Sequence, residues 1–170
     1  MMRRTHVDGA TRSEALYSPC EVYRYGLSRV WSDAGSDAGI VLYVMLNPST
    51  ATELRNDPTI ERCERRARAL GFGGLRIANL FAYRATDPAD LKRAAQPIGA
   101  QTDALLTQWH ATSQMTLAAW GVHGAHLDRA AQVLPLLDGP LHHLGLTKAG
   151  HPRHPLYVSY ATQPQLWSRP

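Results

Sequence analysis

The stretch that decides the fold is Ile40-Val41-Leu42-Tyr43-Val44-Met45-Leu46-Asn47-Pro48-Ser49-Thr50. Its first seven residues are apolar without interruption, the pattern of a strand covered on both faces. The run is far shorter than a membrane span needs to be. It ends abruptly in a polar turn, where a buried strand would meet solvent. Upstream, residues 20–31 read Cys-Glu-Val-Tyr-Arg-Tyr-Gly-Leu-Ser-Arg-Val-Trp, aromatic and β-branched with polar residues between, as in a half-exposed edge strand. Residues 32–39, with two Gly and two Asp, read as a loop. A loop that short predicts an antiparallel hairpin between the strands on either side of it.

Downstream the pattern alternates. Asp57 and Pro58 open a helix that Gly71 can close, with Ile60, Cys63, Ala67 and Leu70 on its apolar face. Arg62, Arg65, Arg66 and Arg68 lie on this helix, but Glu61 and Glu64 stand four residues before Arg65 and Arg68. That is the favourable order for exposed ion pairs, so the run reads as a solvated face before it reads as a phosphate contact. Residues 74–81 form a second core strand, 86–91 a capped helical turn and 99–111 a helix. A third strand covers 115–120, a helix 124–137 and a fourth strand 141–146. Residues 147–156 are a Pro-containing loop and 157–160 an extended piece. The sum is an α/β protein. We expect a three-layer α/β/α sandwich with a mainly parallel four-stranded sheet plus an N-terminal antiparallel edge strand. Residues 1–16 show no hydrophobic period and read as a flexible tail, with a single α/β domain over 17–170.

Composition sets the outer limits. The chain has 170 residues, of which 44% are hydrophobic, enough for one real core. Lys and Arg number 18 against 14 Asp and Glu, a formal net charge of +4. Lys92 and Lys148 are the only lysines, so the excess is guanidinium, which suits phosphate and planar polar groups. A nucleotide or nucleic-acid partner is therefore allowed, though a biased, Ala-rich composition gives the same total. Cys20 and Cys63 form no CxxC pair, and the N-terminus has no apolar leader. The expectation is a cytoplasmic protein with no membrane partner, no metal site and no cofactor. Oligomeric state is left open.

In an open α/β sheet, ligands bind beyond the carboxyl ends of the strands. The first core strand ends in Asn47-Pro48-Ser49-Thr50, and the second runs through Asn79 into Tyr83-Arg84. The third ends at Trp120-Gly121, and the fourth enters Lys148-Ala149-Gly150-His151-Pro152-Arg153-His154-Pro155. Pro48 restricts Asn47 to extended backbone, which orients an amide able to hold a water or read a heterocycle edge. Ser49 and Thr50 offer hydroxyls and N–H groups to an anion, and the same residues also serve as a plain turn. His151 or His154 could shuttle a proton or donate to a developing anion. His123 with His126, and His142 beside His143, lack the Cys or carboxylate partners of a defined metal site.

These motifs together resemble a known family. Met45-Leu46-Asn47-Pro48-Ser49-Thr50-Ala51, Asp57-Pro58-Thr59, Asn79-Leu80-Phe81-Ala82-Tyr83-Arg84, Pro97-Ile98-Gly99, Ala118-Ala119-Trp120-Gly121 and His154-Pro155-Leu156-Tyr157 closely resemble the domain-of-unknown-function family 1643, in register over residues 23–160. The layout is more distantly similar to the uracil-DNA glycosylase superfamily, a four-stranded parallel sheet between helices. That resemblance implies a water-positioning role for Leu46-Asn47-Pro48-Ser49, and base or DNA contact for either His151-Pro152 or His154-Pro155-Leu156. It aligns the segment from Asn79 onward with the stretch after the second strand. No acid occupies position 47, so the reaction it implies relies on positioning and leaving-group stabilisation. The resulting expectation is a nucleobase- or nucleotide-directed enzyme that cleaves an N-glycosidic bond. Asn47, His151 and His154 would be catalytic. Pro48, Ser49, Thr50 and Asn79 would line the substrate site. Arg84, Lys148 and Arg153 would hold phosphates, with Tyr83 or Trp120 stacking on the base. The alternatives are a non-catalytic module for a modified base or nucleotide, and a hydrolase of an unrelated small metabolite.

Overall fold

The computed structural model describes residues 1–31 and 38–170. Most of the expected 32–39 loop, residues 32–37, lies outside the described residues. In chain order the strands are β1 (Met2–Asp8), β2 (Thr11–Tyr17), β3 (Arg24–Trp31), β4 (Ile40–Met45), β5 (Gly74–Asn79), β6 (Met115–Ala118), β7 (His142–His143) and β8 (Gln165–Leu166). The helices are α1 (Pro58–Ala69), α2 (Pro88–Arg93), α3 (Thr102–Ala111) and α4 (Arg129–Val133). The described residues form one eight-stranded mixed sheet in the order β1-β2-β3-β5-β4-β6-β7-β8. The fold is mixed α/β, with a sheet larger than the sequence suggests.

β4 sits in the middle of the strands that carry the chemistry, parallel to β5 on one side and to β6 on the other. Its alternation explains the unbroken apolar run. Val41, Tyr43 and Met45 enter one core with Ile60, Cys63 and Ala67 of α1. Leu42 and Val44 enter a second core with Leu105, Leu106 and Trp109 of α3 and Val133 of α4. A strand covered on both faces has no side left for solvent.

That central position corrects the expected β3–β4 hairpin. β5 inserts between them, so β3 pairs antiparallel with β5, Leu27 opposite Ile77. An edge strand beside β4 would leave one of its flanks without the parallel neighbour that the α1 crossover delivers.

The N-terminal tail is also corrected. Residues 2–17 form a β-hairpin that continues the sheet through β2–β3 pairing. Gly9-Ala10 makes its turn, with Gly9 at φ +57°. β2 buries Ala15, Leu16 and Tyr17, whereas β1 is exposed along most of its length and therefore carries no apolar period. The dipeptide was the available signal.

Two smaller differences concern the last third. The helix expected over 124–137 is a 3-10 segment, Val122–Asp128, followed by the short α4 and another 3-10 turn at Leu134–Leu136. Leu127 and Asp128 both take φ +54°, which breaks the helix, and Pro135 ends it. The fourth strand shrinks to β7, and the end of the expected 147–156 loop joins Tyr157, the first residue of the expected 157–160 extended piece, in a 3-10 turn, Pro155–Tyr157.

The hairpin's place in the sheet has a direct consequence for stability. A chain starting at residue 18 loses four buried side chains, Ser13, Ala15, Leu16 and Tyr17, and frees the β3 edge. Its melting temperature should fall by about 10 °C or more. Equal melting temperatures would mean that residues 1–17 contribute nothing to the core.

Candidate functional site

The carboxyl ends of β4, β5 and β6 open onto one region, and backbone bonds bring their loops together. Leu80 N–H donates to Met45 O at 2.8 Å and Phe81 N–H to Leu46 O at 3.0 Å, so the two chains leave the sheet in parallel. Asn47 then acts as a staple. Its Nδ2 donates to Ala85 O at 2.8 Å, to Pro48 O at 3.0 Å and to Tyr83 O at 3.4 Å. Ala85 N–H returns a bond to Pro48 O at 3.0 Å, and Ser49 Oγ lies 3.1 Å from Thr86 Oγ1. Pro48 is buried and Thr50 exposed. An open groove of about 560 Å³ runs along this seam, lined by Ser49, Tyr83, Arg84, Thr86, Asp90 and Arg93 among others. Arg84 donates from Nη1 to Glu21 O at 3.2 Å and lies over the Tyr17 ring, while Tyr83 packs edge-on to Tyr23.

Asn79, at the end of β5, is the opposite case. It is 2% exposed, and neither Oδ1 nor Nδ2 has a hydrogen-bond partner among the described residues. Strand alternation puts it on the α1 side with Leu75 and Ile77, in register with Met45 of β4. Burying an amide edge without partners costs about 1–3 kcal/mol per group.

Further polar groups surround this face, and most were not singled out from the sequence. Arg24 of β3 is 2% exposed, donates from Nη1 to Ala51 O, and has no partner at Nε among the described residues. Burial pushes its pKa down to about 10, with Asp57 working against that shift. Arg29 reaches Thr52 O and, at 3.2 Å, Asn56 Oδ1. Tyr17 Oη donates to Glu53 Oε2 at 3.0 Å, and burial followed by that carboxylate raises the phenol's pKa. Asp57 caps α1 as expected, Oδ1 accepting from Ile60 N–H at 2.9 Å, and Oδ2 accepts from Ala51 N–H at 3.2 Å. Arg24 and Arg29 lie at i and i+5 on a strand, a spacing that carries no functional signal until the fold places the 51–57 loop above them.

The fourth corner holds His154. Gly121 N–H donates to Pro152 O at 2.8 Å, which ties the 152–154 segment to the end of β6. A Cβ on Gly121 would lie 3.7 Å from His154 Cβ. His154 Nδ1 accepts from Leu156 N–H at 3.3 Å, which requires the Nε2–H tautomer. Burial lowers its pKa, partly offset by Asp57. The segment after His154 is held by α1: Arg62 Nη2 donates to Val158 O at 2.6 Å, and Arg66 donates to Thr162 O at 2.8 Å, Ser159 O at 3.1 Å and Val158 O at 3.2 Å. The arginine run on α1 is thus divided. Arg65 and Arg68 make the expected ion pairs with Glu61 and Glu64, and Arg62 and Arg66 clamp a loop.

Other expected residues lie elsewhere. His151 sits in the 147–151 turn, its backbone bonded to Thr147. Lys148 and Arg153 are exposed, the Arg153 stem lying against Gly145. Trp120 is 1% exposed and packs against Trp167 at 5.7 Å between ring centroids. A Cβ at Gly124 would come within 2.2 Å of its ring, so the following turn seals it in. The expectation that Trp120 stacks on a base is corrected: the indole is core. Among the described residues, no group of three or more His, Cys, Asp or Glu could hold a metal ion, and no helix is long and apolar enough to cross a membrane.

Two measurements follow. The folded chain resists protonating His154, so as pH falls below its ordinary value of 6.5 the unfolded chain takes up a proton that the fold refuses. Stability should be level above that value and decline below it, with His143 and His123 adding to the slope through their own lowered pKa values. His154→Gln should flatten the decline; a slope as steep as that of the wild type contradicts the assignment. Arg66→Met should strip donors from three carbonyls, cost about 1–3 kcal/mol, and speed proteolysis within residues 158–162. Unchanged cleavage there would show that the clamp is not holding the segment.

Residues 24–156 match the sequence profile of a family described as a protein of unknown function, DUF1643. The search of curated proteins and that of solved structures each return no match. The matched span runs from β3 to the turn after His154 and so contains Arg24, Asn47, Asp57, Asn79, Gly121 and His154; the chain belongs to the DUF1643 family.

Proposed function

We propose that the chain acts on a nucleobase or nucleotide, by cleaving an N-glycosidic bond in a modified nucleic acid or nucleotide. The observation that carries this reading is Asn79: a buried amide whose donor and acceptor have no partner among the described residues, at the carboxyl end of a strand in a parallel run. A heterocycle edge presents the complementary acceptor and donor, and binding would remove the cost of the unpaired amide. The parallel order β5-β4-β6-β7, with helices against both faces, supports the finer reading of a three-layer, uracil-DNA-glycosylase-like core. Two unpaired cysteines suit a cytoplasmic setting.

In this reaction the C1′–N bond breaks heterolytically and its electron pair leaves with the base. Water adds its oxygen to C1′ and loses a proton, while the departing ring nitrogen gains one. Asn47 Oδ1 is the part of that amide left to orient the water, since Nδ2 holds the loops. His154 Nε2–H is the donor at the site; His151 stays a candidate from the sequence alone. Arg84 lies at the groove with Ser49 and Tyr83, where a phosphodiester would run, and Lys148 and Arg153 would meet it farther out.

A second reading has its own support. Because the Asn47 amide nitrogen is committed to three carbonyls and no acid stands at that position, the cleft could recognise a base without turning it over.

Asn79→Leu separates stability from function. Removing an unpaired amide should leave the melting temperature equal or higher, while free-base binding falls about tenfold or more. Release of free base from modified oligonucleotides and nucleotides, read by mass spectrometry, decides between the two readings: release that Asn47→Ala and His154→Gln abolish establishes the enzyme, and binding without release establishes the module. Binding unaffected by Asn79→Leu refutes both.

A further inference from the structure

We propose that Arg24 is an anion-recognising group at the carboxyl ends of these strands, and that the ligand presents to its Nε–H an oxygen bearing negative charge. The inference deepens the base-directed reading of the same site by naming the chemical class it takes.

Three buried guanidinium groups, each 2% exposed, can be compared. Arg129 is paired with Asp103 and bonded to Leu80 O at 2.8 Å. Arg66 shares an unpartnered Nε among the described residues, but its Nη groups have three carbonyl acceptors. Arg24 has Ala51 O at Nη1 and, among the described residues, nothing at Nε and no carboxylate within ion-pair distance. Asp57 acts on it electrostatically without reaching ion-pair distance, its two oxygens accepting backbone N–H groups. Arg29 and Arg84 add like charge to its surroundings. Even with its pKa pushed down to about 10, the group is a cation at neutral pH. A buried cation with so little compensation is costly unless a ligand completes it.

Its placement shows what it would touch. Arg24 N–H donates to Ala82 O at 3.0 Å and Leu27 stands opposite Ile77, so Arg24 lies beside the carboxyl end of β5, its guanidinium reaching Ala51 on the α1 side of the sheet. Asn79 ends β5 on that same face. The two unpartnered groups, an amide edge and a guanidinium N–H, therefore meet one ligand. The amide reads a ring edge, and the guanidinium takes an anionic oxygen. That oxygen is either on an ionised oxo-base, which is also where charge collects as a base departs, or on a phosphate.

The experiment is a ¹⁵N NMR titration of the wild-type chain, with the Arg24 Nε–H resonance assigned by its loss in Arg24→Lys. The probes are xanthine above its ionisation pH, hypoxanthine as a neutral oxo-base, and inorganic phosphate. We expect xanthine anion or phosphate to shift Arg24 Nε–H saturably, hypoxanthine to leave it in place, and Arg24→Lys to weaken anion binding about tenfold or more. A shift from xanthine marks a base as the source and one from phosphate alone a phosphate. The proposal is overturned if neither anion moves the resonance, or if Arg24→Lys binds the anions as tightly as the wild type. Should Arg24→Lys not fold, the saturable shift in the wild type decides. The Asn79 side-chain amide reports the base-directed reading separately. If phosphate moves Arg24 while no base moves Asn79, that reading fails and the Arg24 inference stands; if both bases move Asn79 and Arg24 stays still, the reverse holds.

Discussion

The buried guanidinium bonded to backbone carbonyls is the interaction on which the rest of this structure depends. Loops at the carboxyl ends of parallel strands leave many carbonyl groups without ladder partners, and each one buried needs a donor. A guanidinium carries five N–H groups in a rigid fork and reaches far from its own backbone. Here Arg24 and Arg29 of β3 hold the 51–56 segment, Arg62 and Arg66 of α1 hold 155–162, and Arg129 of α4 holds Leu80. Each clamp ties a loop to an element distant in sequence, so the site is fixed in place by the sheet and helices around it.

One consequence is that two asparagines of the same chemistry have opposite circumstances. Asn47 spends its amide N–H groups on carbonyls and so joins the loops after β4 and β5. Asn79, at the end of β5, has no partner for its amide among the described residues. Asp57 has a similar double position, capping α1 while anchoring Ala51 and acting electrostatically on both Arg24 and His154.

Much of the fold was legible because local patterns and the global structure agree. The unbroken run of β4, the Asp57-Pro58 start of α1, the Asp87 cap of α2 and the stop after β6 all appear where periodicity and capping put them. The N-terminal hairpin was not, because β1 has solvent on both faces and its composition reports no burial. The break at Leu127 and Asp128 was not, because neither residue type favours positive φ enough to announce it. Of the site, the alternation of strands and helices led one to expect Asn47, Asn79, Tyr83 and either His151 or His154 at the carboxyl ends of the strands, without saying which histidine. Arg24 was not expected there, since it looks like an exposed residue of an edge strand until β2 and β5 flank that strand on both sides.

The sequence by itself determined the central elements: the core strands, the helix α1 between them, and the end at which polar groups collect. Those properties are set by periods of two and 3.6 residues and by caps that act within a few positions. Only the tertiary structure decided the order β3-β5-β4, the division of the arginines between solvent and carbonyls, and the burial of Trp120. It alone left the amide of Asn79 and the Nε of Arg24 without partners among the described residues. Each of these depends on what stands opposite a side chain across dozens of residues, and burial makes that opposite group, or its absence, worth kilocalories.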